Sequence, residues 1–520
     1  MNRLLTLAAG LLVLAAIGYW YYDQTERRQR SAEAMRAELG EFLTANGARY
    51  GSLTYDRRTN SVTVTGITWS QESNGMARHL TLDRAEIVAG DIDAFQTVFR
   101  SASYAPDETR VGDFVKLATA IDLRGLEIKN ADGTLAVSHL HLDAPALRQF
   151  GFKPSRQGLA QAGTDFVAGD VGKSLKFQKG TLKELRITRG NESKVTLEAL
   201  ELGEFDAGKL SQLAVNGFNF EETGLRTKVE GLTVSNLGLK NWLEGLRSGS
   251  LTLADGWFSS AAWDGHQSPT FDAVKVLGFS LSDGETAPQL SIDAASLTDL
   301  VRVGEFVAAG TLRIKGLEFP VRGESPWSKA LSNMGYKKLR LNVVSRSTYD
   351  PASKVSETAE FMVEVENAGR IFGSSRLENV EIGDELRELD LKGFVAEGGL
   401  EKILGTWRIA RLEVGYKDLS LIERAFELAL ERLGKTSEDL IHDYSAQIEA
   451  LREQYGDGPF LTQLSEQMKV FLEEPNSIVF RMVPPEPVVI SQALLAALDN
   501  PEDLAKLMGL TVTANAPVTE

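Results

Sequence analysis

Seven times the chain repeats one short phrase: apolar, any, apolar, any, glycine, apolar, any, apolar. The glycines are Gly66, Gly125, Gly217, Gly231, Gly278, Gly316 and Gly393. Alternate apolar residues line one face of a β-strand, and a shift of one residue sends every later side chain to the other face. In the first copy Val62 and Val64 precede Gly66, whereas Ile67 and Trp69 follow it, so the alternation changes phase at the glycine. A strand keeps its apolar face through such a change only if an extra residue is absorbed, and glycine tolerates the backbone that this needs. The phrase therefore predicts a bent, bulged strand.

The other copies read Ile121, Leu123, Leu126, Ile128; Leu213, Val215, Phe218, Phe220; Val274, Val276, Phe279, Leu281; Leu312, Ile314, Leu317, Phe319; and Leu389, Leu391, Phe394, Ala396. The copy at Gly231 begins with Thr227 in place of an apolar residue. At 43% hydrophobic residues and 47 glycines, chance would supply roughly one or two strict matches. Six are found. The phrase specifies architecture and names no reaction.

Leu4 to Tyr22 contains no charged residue. As a helix it would extend about 28 Å, close to the ~30 Å of a bilayer's hydrocarbon core. Tyr19, Trp20, Tyr21 and Tyr22 close it with an aromatic cluster suited to a membrane interface. Residues 1–22 read as a transmembrane anchor; a signal peptide cleaved near Ala16-Ile17-Gly18 is the alternative. Arg27, Arg28 and Arg30 beyond the span outnumber Arg3 before it, which by charge alone favours an inside body. A long β-rich domain behind an N-terminal apolar segment favours export instead, and large domains translocate largely regardless of charge.

Residues 23–47 read as a helical stalk. Residues 48–416 read as a repetitive β-hairpin body, with strands at Tyr50 to Tyr55, Ser61 to Trp69, His79 to Val88, Thr134 to Leu142, Thr181 to Thr188, Lys194 to Leu202 and Leu339 to Ser345, separated by turn signals such as Asn130-Ala131-Asp132-Gly133. Short helices are predicted at Asp91 to Arg100, Asp113 to Thr119, Asn241 to Arg247 and Pro326 to Met334. Residues 417–474 read as a helical segment, with helices at Leu419 to Leu433, Ser437 to Gln454 and Pro459 to Leu472. Residues 475–520 read as an α/β cap, with strands Ser477 to Val483 and Leu510 to Thr513 around helices near Ser491 and Pro501. The fold class is mainly β with a helical C-terminal module: an extended, bent antiparallel meander forming a groove, sandwich or barrel behind one membrane helix.

A net charge of −16 without a concentrated basic stretch argues against nucleic acid as a partner. The absence of cysteine removes disulfides, thiolate catalysis and cysteine metal sites. His139 and His141 lie at strand spacing on one face, a geometry zinc sites use, and Asp143 continues the alternation. No third ligand lies nearby in sequence, so they read as surface polar residues, and no metal or cofactor is expected. Gly169 to Ser174 lacks the first glycine of a phosphate-binding loop, since Val167 stands there, and reads as a flexible loop. No Gly-x-Ser-x-Gly nucleophile motif occurs. The carboxylate pairs Glu364 with Glu366 and Glu473 with Glu474 read as solvated faces. Nothing selects an enzyme.

An N-terminal membrane segment and stalk followed by Tyr50-Gly51-Ser52-Leu53-Thr54-Tyr55, Val62-Thr63-Val64-Thr65-Gly66-Ile67-Thr68 and further hairpins resembles the AsmA-like and YdgA-like families of bacterial envelope proteins. The resemblance covers residues 1 to about 416 and implies an inner-membrane anchor, a periplasmic β-rich body and, for the AsmA-like group, a role in phospholipid movement or envelope homeostasis. The sequence's own reading is that its few helices cannot cover hundreds of residues with one apolar strand face. That face must meet a second sheet or lipid chains. The expected function is non-enzymatic binding or guiding of membrane lipids, with Trp69, Phe218, Phe220 and Phe279 as lipid-contacting residues. The alternative is an envelope scaffold that binds a protein partner through residues 417–520.

Overall fold

The computed structural model describes residues 48–56, 58–59, 61–73, 76–88, 113–130, 133–148, 164–189, 193–248, 269–283, 288–303, 306–323, 325–382, 404–456 and 458–516. The expected anchor (1–22), stalk (23–47), helix at Asp91 to Arg100 and glycine phrase at Gly393 lie outside them. The chain forms two compact units: residues 1–276 with 282–285, and residues 277–281 with 286–520.

The first unit contains β1 (Ala48–Arg49), β2 (Ser52–Asp56), β3 (Ser61–Ser73), β4 (Met76–Val88), β5 (Val115–Lys116), β6 (Ala120–Asn130), β7 (Gly133–Asp143), β8 (Ala146–Leu147), helix α1 (Thr164–Ser174), β9 (Leu175–Phe177), β10 (Lys179–Arg189), β11 (Ser193–Leu202), β12 (Phe205–Asp206), β13 (Lys209–Glu222), β14 (Leu225–Gly238) and helix α2 (Lys240–Ser248). The long strands form an antiparallel meander in which β3, β4, β6, β7, β10, β11, β13 and β14 pair in that spatial order. The short strands β5, β8, β9 and β12 pair as a side row that rejoins the sheet at β13. Residues 113–119 thus hold a short strand instead of the expected helix. Leu117 and Ala118 are buried there, and the backbone N–H of Leu117 is bonded to Pro145.

The glycine phrase behaves differently from a simple bulge. Pairing runs Thr65↔Arg84 and then Ile67↔Leu82, so Gly66 and Asp83 face each other unpaired and neither strand gains a residue on the other. The same gap recurs at Asp83/Gly125, Gly125/Ser138, Ser138/Glu184, Glu184/Glu198, Glu198/Gly217 and Gly217/Glu230. These eight residues make one row across the whole sheet. Every second member has left-handed backbone: Gly66 (φ 63°), Gly125 (65°), Glu184 (51°) and Gly217 (63°). Because each strand is lengthened at the same level, each flips its side-chain phase there and register survives. In β4 the buried residues pass from Leu80 and Leu82 to Ala85, and in β7 from Leu135 and Val137 to Leu140 and Leu142. The apolar face is thereby unbroken, and across β3 to β7 it is buried: Val64, Ile67, Leu82, Leu123, Leu126, Leu135 and Val137 belong to one core; on β13, Val215 and Phe218 are partly buried.

A second core lies at the end of the sheet. There α2 sets Trp242, Leu243 and Leu246 on Phe177, Phe205, Leu210, Val234 and Leu237. Residues Gly169 to Ser174 are the C-terminal half of α1, correcting the expectation of a loop. A Cβ on Gly172 would lie 2.5 Å from Leu243 Cδ2, so glycine permits the close approach of α1 to α2.

Strand β15 (Ala273–Asp283) contains Gly278 at φ 58°. The second unit then contains β16 (Leu290–Val303), β17 (Phe306–Pro320), α3 (Pro326–Asn333), β18 (Lys338–Asp350), β19 (Val355–Val365), β20 (Gly369–Glu378), β21 (Arg408–Asp418), α4 (Leu421–Leu433), α5 (Ser437–Tyr455), α6 (Pro459–Glu473), β22 (Ser477–Met482), β23 (Val488–Val489), α7 (Ile490–Asp499), α8 (Pro501–Met508) and β24 (Leu510–Ala514). Strands β16 to β21 form an antiparallel meander that β22 and β24 extend. Here the phrase does make a bulge. Pairing steps from Ile314↔Val343 to Leu317↔Leu341, placing two residues of β17 against Asn342, whose Oδ1 accepts from Gly316 N at 3.0 Å.

The C-terminal helices form where the sequence places them. Thr436 and Asp439 make a reciprocal capping box that starts α5. The Glu502 carboxylate of α8 accepts from Phe460 N at 3.2 Å and Leu461 N at 2.6 Å, serving donors that the first turn of α6 leaves unpaired.

Candidate functional site

Two features of the described residues bear on function: an apolar sheet face in the second unit and a His/Asp cluster in the first. In the second unit, register sets Phe361 and Val363 of β19 beside Gly373 and Ile371 of β20, and these beside Val414 and Tyr416 of β21. Tyr416 continues under the helices into a core with Ile478, Val512, Phe471 and Leu472, lined by Ile422, Phe426 and Met468. Beyond the helices the same face is open: Phe361, Ile371 and Val414 are 41%, 48% and 43% exposed.

The opposite face is mixed: the row Val344, Met362, Phe372 and Val479 is apolar, with Phe372 lying over Gly415, and beside it run paired charges. Arg340 bonds Glu366 and also Asp293, and Arg370 bonds Glu364 at 2.8 Å through Nε. Burial acts to raise the Glu364 carboxyl, but hydrogen bonds from Arg370 and Asn342 together with the Arg370 charge outweigh it and hold it below the usual range. Glu364 and Glu366 are therefore members of an ion-pair network, correcting their reading as merely solvated. The Tyr416 hydroxyl is raised by burial and by its hydrogen bond to Asp418.

The four aromatics predicted to contact lipid are dispersed. Trp69, paired with Ala48 and Leu80, and Phe218, paired with Leu197 and Val229, pack against the buried core of the first unit. Phe220 is partly buried at the Val195 end of β11, and Phe279 follows Gly278 in β15. Phe361, Ile371 and Val414 were not singled out by sequence reasoning, because only pairing shows that these three strands are adjacent.

In the first unit, β6 and β7 bring Asp122, His139 and His141 together, with one ligand atom from each lying within 4.8 Å of the others. Leu123, Leu140 and Leu142 turn into the cores, so these polar neighbours share the outer face. Asp122 sits directly opposite His141, and Arg124 opposite His139. Asp122 Oδ2 is 2.5 Å from His139 Nε2 and 3.3 Å from His141 Nδ1, while Arg124 Nε donates to Oδ1 at 2.8 Å. His141 Nε2 is 2.9 Å from Asp143 Oδ1. Burial acts to raise the Asp122 carboxyl, but the hydrogen bonds from His139 and Arg124, with their charges, hold it below the ordinary range. Asp122 is the third polar partner that the sequence lacked; it lies 17 residues from His139 and is delivered by strand register.

The described residues define a class: an antiparallel β protein of two units, ending in an α/β module. Among them no helix is long and apolar enough to cross a membrane. A family profile described as "Uncharacterized protein" matches residues 362–515, the part holding β20 to β24 and the C-terminal helices. No curated protein matches the chain.

Proposed function

We propose that the chain is a non-enzymatic, membrane-anchored protein of the bacterial envelope whose body lies in the periplasm and binds or guides lipid along the apolar sheet face of its second unit. The observation that carries this reading is the open row formed by Phe361, Ile371 and Val414. Apolar area of this kind, continuous with a buried core and left in water, favours an apolar occupant. Each acyl methylene buried there would contribute about 0.8 kcal/mol. The anchor and compartment rest on residues 1–22 and on the resemblance to the AsmA-like and YdgA-like families.

Native mass spectrometry of the detergent-purified chain tests this. Phospholipid should remain bound, and the double substitution Phe361→Ser with Ile371→Asn should deplete it. A lipid-free, stable preparation that takes up no phospholipid from vesicles would refute the reading.

A second reading, a scaffold that binds a protein partner, is favoured by α7, where Leu494, Leu495 and Leu498 are 49%, 62% and 80% exposed. Deleting residues 417–520 would remove strands β22 to β24 from the sheet, so Leu495→Lys with Leu498→Lys is the cleaner test. Loss of a protein partner with unchanged lipid binding would favour the scaffold.

A further inference from the structure

We propose that Asp122, His139 and His141 bind one divalent transition-metal ion, with zinc as the type, through Asp122 Oδ2, His139 Nε2 and His141 Nδ1. The donor set of two imidazoles and a carboxylate suits zinc and its neighbours and leaves a coordination position open. This inference is independent of the lipid reading, since the cluster lies on the outer face of the first unit.

His141 supplies the central observation. Both of its ring nitrogens face carboxylate oxygens: Nε2 faces Asp143 Oδ1 at 2.9 Å, and Nδ1 faces Asp122 Oδ2 at 3.3 Å. Carboxylates only accept, whereas a neutral imidazole has a single N–H. With its N–H given to Asp143, a neutral ring keeps the Nδ1 lone pair free, and a cation placed between that nitrogen and Asp122 Oδ2 would be held by both. Asp143 would then act as carboxylates do behind metal-bound histidines, fixing the tautomer and the ring orientation.

The spacing agrees. Zinc bonds of about 2.0–2.1 Å at a tetrahedral angle hold two donors about 3.3 Å apart, which is the separation of His141 Nδ1 and Asp122 Oδ2. His139 Nε2, now 2.5 Å from the same oxygen, must withdraw by about 0.8 Å to reach that spacing. At 26% side-chain exposure His139 has room to do so. Arg124 engages only Oδ1, so it orients the carboxylate for one-oxygen coordination. The platform is firm, because Leu123 and Leu140 anchor the two strands in the core beneath.

The test uses the full chain stripped with a chelator and titrated with zinc chloride by calorimetry, with cobalt(II) as a spectroscopic probe. One equivalent should bind, and cobalt should give the intense visible bands of a tetrahedral site. His139→Gln and His141→Gln should each weaken zinc by more than about 100-fold, and Asp143→Asn by about 10–100-fold; His79→Gln should change nothing. In the unaltered chain, zinc should shift the imidazole NMR signals of His139 and His141 before those of His79, His266 and His442, a readout that needs no variant to fold. Absence of binding, stoichiometric uptake that survives the double His139→Gln, His141→Gln substitution, or first shifts at the other histidines would overturn the proposal.

Discussion

Substituting Gly125 by alanine probes the row of phase changes directly. Gly125 has φ 65°, and a Cβ there would lie 2.0 Å from Asp83 Oδ2, 2.4 Å from Cγ and 2.8 Å from Cβ. Left-handed backbone costs alanine about 1–2 kcal/mol. The carboxylate can swing away, but Asp83 Cβ is fixed by its own strand, so overpacking adds about 1–3 kcal/mol. The total expected for Gly125→Ala is about 2–5 kcal/mol. Gly66 occupies the same row at φ 63° with nothing nearer than Gly51 N at 3.4 Å, so Gly66→Ala should carry the backbone cost alone, about 1–2 kcal/mol. Gly51, which has ordinary backbone and ordinary contacts, should lose no more than about 0.5 kcal/mol as alanine. Urea unfolding followed by tryptophan fluorescence would rank the three, and amide hydrogen exchange would locate the loss in β4, β6 and β7. If Gly125→Ala proves as mild as Gly51→Ala, the row does not constrain the sheet and the reasoning fails.

Other predictions concern packing, capping and charge. Leu246, 1% exposed at the centre of the α2 core, should cost about 2–5 kcal/mol as alanine, read as a lowered urea midpoint. Glu502→Gln should destabilise the C-terminal module by about 1–2 kcal/mol through weakened bonds to Phe460 N and Leu461 N, and Gly458→Ala should do similar harm because its Cβ would lie 1.9 Å from Glu502 Cδ; exchange of the first α6 amides reports both. The depressed Glu364 carboxyl contributes stability that is present above the unfolded value of about 4.3 and is lost as pH falls through the lower folded value. Glu364→Gln should therefore flatten the acid limb of stability against pH, and an unchanged acid limb would remove the ion pair from the account.

Sequence alone determined most of the element types: period-two alternation marks the strands, and Pro459 and Pro501 mark helix starts, because fixed φ acts within one turn, whereas residues 113–119 and Gly169 to Ser174 took their types from the core they pack on. It also located the phase changes wherever glycine carries them, at Gly66, Gly125 and Gly217, since positive φ selects that residue type. Between those strands Asp83, Ser138, Glu184 and Glu198 complete the row without a sequence signature, and in the phrase at Gly231 the change falls on Glu230 instead of the glycine, which stays paired with Asn216; Glu184 takes left-handed backbone that nothing in its residue type requires. Only the tertiary structure decided that insertions would be matched from strand to strand, keeping the apolar face of the first unit continuous. The same holds for Asp122 beside His141 and for Phe361 near Ile371 and Val414. Strand pairing joins residues far apart in the chain, and its register is a collective property of the sheet that no local spacing encodes.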